Sequence, residues 1–502
     1  MSFIFLRMNL ICYNKIHNGV NMKNKSKIIK QSIILFISFY LLSASLYVKN
    51  NFSDEYFEQI IFSFYTMKGA ATSAVTEGIV KSIPLALVLL LVALLIYFII
   101  YKINSKYTKY LKTTTIIVVI LSLVLSLNNI GLFSYIKYNS TKSDLIEKEY
   151  VDPKNVEVKF PEQKQNLIYI YVESLENTGN SKEQGGYENN SVIKNLESLA
   201  KNNTNFSNTK KIGGAYMNQG NSWTVASIIG QTSGIPLKVA LKNNLTTNNK
   251  FIPNAYSLGE ILENNGYNNY FLMGSESVFG GRKDYLKSHG NYTIYDYNWA
   301  KKEKLIDDNY REWWGFEDKK LFTFAKDKLI EISKKDQPFN FTILTADTHF
   351  MDGYVDKSCK NKFNSHYKNS YACEDYMLNE FISWIENQDF MENTTIVITG
   401  DHLTMQKNVF KTNDKNKRTI YNVIINSKQE TSNTKNRSFT VMDMYPTTLS
   451  ALGTTIKGNR LGLGTNLYSD KQTLTEKYGL RTLDNELKKK SDFYDKQILN
   501  NK

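Results

Sequence analysis

The chain has 502 residues but only 3 cysteines, 7 prolines and 5 histidines. Scarce proline beside 13% aromatic residues argues against extensive disorder. No internal repeat or low-complexity segment breaks the chain. No basic stripe interleaved with aromatics marks a nucleic-acid surface, so nucleic acid is not an expected partner. The net charge of +14 comes from scattered lysines and reads as an affinity for anionic lipid surfaces or as nothing specific. The length suffices for a membrane region plus one large globular domain.

Long apolar runs are present, and all three lie near the N-terminus. Segments 28–48, 83–101 and 113–136 each approach the roughly 20 residues a bilayer span needs. Asn128, Asn129 and Gly131 interrupt the end of the third. Lys23, Lys25, Lys27 and Lys30 precede the first run, and Lys102, Lys106, Lys109 and Lys112 fill the loop between the second and third. Cytoplasmic loops carry such lysines, which places residues 1–27 inside and everything after about residue 137 outside the inner membrane. The expectation is a multi-pass inner-membrane protein with its globular part on the external, periplasmic side. The first run lacks a small-residue cleavage signature and reads as an anchor. The first twenty residues are short for a span and read as a start-site extension, with Met22 as an alternative initiator.

Beyond the membrane region the pattern changes. Residues 49–82 form an external loop whose part 56–67 is amphipathic, an interfacial helix or a re-entrant segment. A polar stretch, 137–165, with Pro153 and Pro161, serves as a linker to a domain over 166–470, followed by a tail over 471–502. Apolar, β-branched runs at 166–172, 270–273, 339–346, 394–400 and 420–426 alternate with helical patterns at 192–201, 257–265, 321–335 and 376–387. That alternation predicts an α/β domain, doubly wound, with a mainly parallel central sheet.

In such sheets the chemistry gathers beyond the carboxyl ends of the strands. Three of these runs end in polar residues of the right kind: Glu173-Ser174, Asp347-Thr348-His349 and Asp401-His402. One such end reads as a solvated turn, but the repetition points to a site. Glu173, Asp401 and His402 make a mixed oxygen and nitrogen ligand set suited to zinc, manganese or a similar divalent ion. The set leaves a position for a nucleophile or substrate oxygen. A hydroxyl-rich turn from Gly220 to Ser227, leading into a helical pattern, can present backbone N–H groups to a phosphate; an ordinary helix cap reads the same way. Cys359 and Cys373 lie in a polar loop segment after the Asp347–His349 strand. In an oxidising compartment they can close a small loop worth roughly 3 kcal/mol; two free thiols are the alternative.

The motifs in order resemble the membrane-anchored phosphoglycerol transferases of the alkaline phosphatase and sulfatase superfamily, most closely the phosphoglycerol transferase I (MdoB/OpgB) group, with lipoteichoic acid synthases as relatives. The landmarks are the run from Leu167 to Glu176, Trp223-Thr224 with Gly234-Ile235-Pro236, and the stretch Leu286 to Gly290. Trp314-Gly315-Phe316, Asp347-Thr348-His349, Asp401-His402 and Leu461-Gly462-Leu463-Gly464 continue them. The resemblance implies a sulfatase-like catalytic domain and transfer of phosphoglycerol from a phosphatidylglycerol-like lipid to a periplasmic glucan or related glycan through a phospho-enzyme. It implies Glu173, Asp401 and His402 as ligands of manganese or magnesium, with zinc as a further option. Arg282 and His349, beside Asp347, would contact substrate, and Cys359 with Cys373 matches a cysteine pair of the group. The family nucleophile is a threonine directly after the glycine of a Gly-Thr-x-x-Thr pattern. Here Asn221 stands in that place and cannot form a phosphoester. Ser222 is then the expected nucleophile, because a neighbouring hydroxyl needs the least backbone adjustment, with Thr224 as the second choice. Phosphoethanolamine transfer, phosphate or sulfate ester hydrolysis, and a catalytically impaired binding protein are the alternative readings.

Overall fold

The computed structural model describes residues 22–51, 57–66, 72–103, 109–240, 245–247, 250–406, 408–412, 414 and 417–500. The start-site extension, Cys12 and Lys106 lie outside the described residues. The chain divides into two compact units, one of residues 1–52 and 71–134 and the other of residues 53–70 and 135–502.

In the first unit, helix α1 (Met22–Asn51) packs against two later helices, α3 (Thr72–Ile103) and α4 (Leu111–Asn129). Between α1 and α3 in sequence comes α2 (Phe57–Tyr65), which belongs to the second unit. Spans Ile28–Asn50, Thr76–Ile103 and Leu111–Asn129 are each long and apolar enough to cross a membrane. Their outward faces carry exposed large side chains such as Leu91, Leu95 and Ile120, a pattern that suits lipid and not water. Polar groups join α1 and α4. Asn129 donates to Ser45 Oγ at 3.2 Å and accepts from Lys49 at 3.3 Å. The third helix ends at Asn129, seven residues short of the expected 136, because Gly131 takes a left-handed turn (φ 79°).

The second unit is built on a six-stranded sheet. Its strands are β1 (Asn166–Val172), β2 (Asn268–Met273), β3 (Thr293–Tyr295), β4 (Phe339–Leu344), β5 (Thr394–Gly400) and β6 (Asn422–Ile425). They lie in the order β3-β2-β4-β1-β5-β6, and only β6 runs antiparallel to its neighbour. The helices that frame it are α5 (Lys194–Asn202), α6 (Thr224–Ser233), α7 (Leu258–Asn264), α8 (Arg282–Ser288), α9 (Asp318–Ile332), α10 (His366–Glu386) and α11 (Met444–Ala451). Both faces of β1 are covered. Leu167, Tyr169 and Tyr171 join one core with Val225 and Ile229 of α6 and Leu449 of α11. Ile168, Ile170 and Val172 join another with Leu321 of α9 and Phe381 of α10. A strand buried on both sides must be apolar throughout, which is why these runs stand out in the sequence.

Helix α10 begins at His366, ten residues before the expected 376. Ser365 caps it by accepting the Lys368 N–H, and Tyr367, Tyr371 and Cys373 bury its first turns. Cys373 therefore sits on a helix, not in the loop where the sequence put it.

The stretch 137–165, read as a linker, lies in the same unit as the sheet. Leu145 and Ile146 are buried, and Val158 and Lys159 pair antiparallel with Ile456 and Thr455. Glu149 accepts from Arg460 at 2.9 Å, Lys477 at 2.6 Å and the Tyr478 hydroxyl at 2.6 Å. Burial pushes the Glu149 carboxyl up, but the three donors outweigh it and hold it at about 2. A carboxyl lowered on folding contributes stability that is complete above the unfolded value, near 4.5, and lost as pH falls through about 2. Glu149→Gln should therefore lower the thermal unfolding temperature at pH 7, with the deficit against wild type shrinking as scans move from pH 5 to pH 3. An equal deficit at both ends of that range would show that the pair carries no ionic stabilisation.

Candidate active site

Strand register sets the site. Val172 lies opposite Gly400, and Tyr171 lies opposite both Thr399 and Leu344, so β1, β4 and β5 end level with one another. The residues just past them, Glu173, Thr345–His349 and Asp401-His402, emerge at one edge of the sheet. Gly400 is required there: a Cβ on it would stand 1.9 Å from the Leu175 carbonyl oxygen. Ser174 turns the chain in a left-handed conformation (φ 56°), which brings its N–H onto Asp401 Oδ1 at 2.7 Å and its hydroxyl onto Glu173 Oε1 at 2.8 Å.

Glu173, Asp401 and His402 each offer a ligand atom, all within 4.8 Å of one another and all buried. His402 Nε2 lies 3.3 Å from Glu173 Oε1 and 3.5 Å from Asp401 Oδ2. Its Nδ1 donates to the Leu403 carbonyl at 2.9 Å, which leaves Nε2 as the nitrogen directed at the carboxylates. Asp401 Oδ1 is taken by the N–H groups of Ser174 and His402, each at 2.7 Å, while Oδ2 is buried with no hydrogen-bond partner. An orphaned carboxylate oxygen beside an imidazole nitrogen and a second carboxylate fits a divalent cation. Charge supports the same reading. Burial pushes the His402 imidazole down, but Asp401 and Glu173 outweigh it and raise it to about 10. Burial, reinforced by Glu173, pushes Asp401 up to about 7. The cluster thus holds a proton where a cation could stand.

Thr224 is the hydroxyl that faces this set. Its Oγ1 lies 3.5 Å from Glu173 Oε2 and 3.5 Å from His402 Nε2. It is the first residue of α6, after Trp223 in an extended conformation, so the open N–H groups of the helix start lie beside it. Ser222 Oγ is buried without a hydrogen-bond partner, and no bond links it to Glu173 or His402. Asn221 is wholly buried and structural in its contacts: its amide nitrogen donates to Ala226 O at 2.7 Å and Ile235 O at 3.1 Å, and its oxygen accepts from Asn218. It ties the turn to the helix that follows. Gly220 before it takes φ 81°, and a Cβ there would stand 2.8 Å from the Pro236 side chain.

Arg282 opens α8 with only 7% of its surface exposed. Its guanidinium donates to Ser275 Oγ and to the carbonyls of Glu276 and Phe279. Burial lowers it to about 10, opposed by the charges of Glu173, Asp296 and Asp401, so it stays cationic at neutral pH beside the carboxylates. His349 packs on Trp314 at 4.4 Å between ring centroids and uses Nδ1 on the Phe350 carbonyl at 2.5 Å. Burial pushes its pKa down, which keeps the imidazole neutral. Asp347, by contrast, accepts the Asp318 N–H through Oδ2 and joins a second group of carboxyls with Asp318 and Glu374.

Several supporting residues escaped sequence reading. Thr345 Oγ1 accepts the Glu173 N–H at 3.0 Å, and Thr348 donates to the Glu173 carbonyl at 2.5 Å. Glu176 pairs with Arg418 at 2.5 Å in full burial. Helix α2 also lies against the site: Phe62 packs on Trp223 with ring centroids 6.0 Å apart, and Glu58 accepts from Gln219 at 3.4 Å. Threonines after a strand were the available signal; the partners of Glu176 and Trp223 lie more than 150 residues away in sequence and gave none.

Residues 165–454 match the sulfatase family. This chain belongs to that family. Two curated relatives are similar to it, both called phosphoglycerol transferase I. The one from Escherichia coli strain 536 is 33% identical over 330 residues, and the one from Citrobacter koseri is 32% identical over 327. In each case the match takes 63% of this chain and 40% of the relative, so the chain spans well under two thirds of the curated proteins it matches. Among solved structures, the lipoteichoic acid synthase LtaP from Listeria monocytogenes is 18% identical with a TM-score of 0.48, covering 65% of this chain and 82% of that one. The phosphoethanolamine transferase EptA from Neisseria meningitidis is 13% identical with a TM-score of 0.48, covering 87% of this chain and 85% of that one. The sulfatase family match begins at Gln165 and includes all the strands of the sheet.

Cys359 and Cys373 are bonded and stand 14 positions apart in sequence. The bridge fastens the loop after His349 to α10. A loop of that length is worth about 3 kcal/mol in the chain-entropy model. Reduction, or a Cys359→Ser and Cys373→Ser pair, should lower the unfolding temperature; an unchanged temperature would show that other contacts already hold the loop.

Proposed function

We propose that this sulfatase-family chain is a membrane-anchored phosphotransferase that moves a phosphoglycerol group from a phosphatidylglycerol-like lipid to a hydroxyl of a glucan or related glycan. The observation that carries the reading is the Thr224 hydroxyl, placed at a helix start 3.5 Å from both Glu173 and His402. The similarity to phosphoglycerol transferase I supports the phosphoglycerol group as what is transferred.

Glu173, Asp401 and His402 would hold a divalent ion, manganese or magnesium by the oxygen-rich donor set, and bound there it would lower the pKa of a hydroxyl and offset phosphate charge. The chain's own residues supply the rest. Thr224 Oγ1 attacks the donor phosphorus, and the bond from phosphorus to the diacylglycerol oxygen breaks. The open N–H groups at the start of α6 and the Arg282 guanidinium face the phosphate oxygens and favour the transition state. His349 is neutral with Nδ1 occupied, so Nε2 takes up the threonine proton and passes it to the diacylglycerol oxygen as that group leaves. In the second half the acceptor hydroxyl gives its proton to the same nitrogen and attacks phosphorus, and Thr224 Oγ1 departs with the proton returned. The two half-reactions share one site. Three spans near the N-terminus, with the lysine bias of their flanks, support an inner-membrane protein that works on the outer side, where the lipid donor is at hand.

The test is direct. Full-length protein in detergent, given phosphatidylglycerol labelled in the headgroup and a glucan, should yield labelled glucan and diacylglycerol. Free glycerol phosphate alone would identify a hydrolase, label moved only from phosphatidylethanolamine would identify the other transferase class, and binding without turnover would identify a binding protein.

A further inference from the structure

A second group of acids lies behind the segment that carries His349, and the reaction leaves it unused. Asp318 begins α9, Asp347 follows β4, and Glu374 projects from α10; their oxygens all lie within 4.8 Å of one another. Each residue is at most 1% exposed. Two of the three are fixed by backbone. Asp318 accepts the Ala346 N–H through both oxygens, at 3.0 and 2.9 Å, and the Asp347 N–H at 2.6 Å. Asp347 Oδ2 accepts the Asp318 N–H at 3.2 Å.

Glu374 is different, and it is the observation that decides. It comes from another helix, is aimed at this pair, and meets no N–H or hydroxyl donor on either carboxylate oxygen; the side chain within its reach is another acid, the carboxyl of Asp318. Asp347 Oδ1 is likewise without a partner. Three orphaned oxygens therefore converge in a buried space. The nearest cation in sequence, Lys319, is paired with Asp356 at 3.3 Å. Buried carboxylates without a compensating charge are costly, and three at one point cannot all stay ionised on their own. A proton bridging two of the free oxygens would leave the third unsatisfied.

We propose that Asp318, Asp347 and Glu374 bind a divalent cation of the hard, oxygen-preferring class, magnesium or calcium, at a site separate from Glu173, Asp401 and His402. The donor set holds no nitrogen or sulfur, which suits these ions and not zinc or copper. Its place in the fold defines its role. The ion joins the start of α9, the end of β4 and the middle of α10, next to the bonded Cys373. Thr345 and Thr348, which hold the Glu173 backbone, lie on the segment so anchored. Asp347 is thus a ligand of this structural ion, and the site is independent of the substrate the enzyme takes.

Full-length protein in detergent, equilibrated with magnesium or calcium plus manganese and freed of loose metal, is analysed for ions per chain by mass spectrometry. Wild type should retain two. Glu374→Gln should retain one, and Asp401→Asn should retain one that is lost only on adding Glu374→Gln. Calcium should also raise the unfolding temperature of wild type but not of Glu374→Gln. One ion in wild type, or two in both wild type and Glu374→Gln, overturns the proposal. Should Glu374→Gln fail to fold, Asp318→Asn takes its place, and the wild-type count still decides.

Discussion

Thr224→Ala should reduce phosphoglycerol transfer by at least about a thousandfold, while Ser222→Ala should leave it within a few-fold of wild type. The difference follows from position. Thr224 Oγ1 touches both Glu173 and His402 at 3.5 Å, and no other hydroxyl stands in that relation to the pair among the described residues. A nucleophile needs an activating group within reach and a phosphate site beside it, and the first residue of α6 has both. Ser222 lies before Trp223 with its hydroxyl unbonded, outside the set. Thr224→Ser should recover part of the activity, because it restores a hydroxyl at the same Cβ. Initial rates with labelled phosphatidylglycerol check all three variants; loss in Ser222→Ala with retention in Thr224→Ala would reverse the assignment.

The second large effect belongs to Asp401. Its Oδ1 is committed to the Ser174 and His402 N–H groups at 2.7 Å, leaving Oδ2 for a cation. In Asp401→Asn the amide carbonyl keeps those two bonds, so its NH2 must face Glu173 and His402, where it cannot ligate. Activity should fall by at least about a hundredfold and the catalytic ion should be lost, while the fold survives. Chelation of wild type should give the same loss, restored by manganese. Metal content, activity and unfolding temperature measured together check this; full activity in Asp401→Asn with the ion of this site lost would refute a metal-assisted reaction here.

The legible parts of the chain were those governed by short-range pattern. Strands β1, β4 and β5 are buried on both faces, so their apolar runs and polar ends stood out, and with them Glu173, His349, Asp401 and His402. Other features depend on distant partners. Glu149 reads as linker because Arg460 and Lys477, which hold it, lie over 300 residues away. Helix α10 hides its first turns behind polar residues such as His366, Lys368 and Asn369, although Tyr367 and Tyr371 there are fully buried. The hydroxyl proposed as nucleophile is the most instructive case. Spacing from Gly220 favours the hydroxyl nearest Asn221, but Asn221 spends its amide on Ala226 and Ile235, and α6 starts only after Trp223. Where a turn ends and a helix begins decides which hydroxyl faces the site, and a boundary of one or two residues is below what periodicity resolves.

The most direct test is to trap the covalent half-reaction. Full-length protein is incubated with phosphatidylglycerol in the absence of acceptor, quenched in acid and digested with trypsin. The peptide Ile212–Lys238 contains Ser222 and Thr224 and no internal lysine or arginine. Fragmentation separates the two hydroxyls. A glycerophosphoryl group should appear on Thr224 and be lost again on adding glucan. An adduct on Ser222, or turnover with no adduct on this peptide, would contradict that assignment.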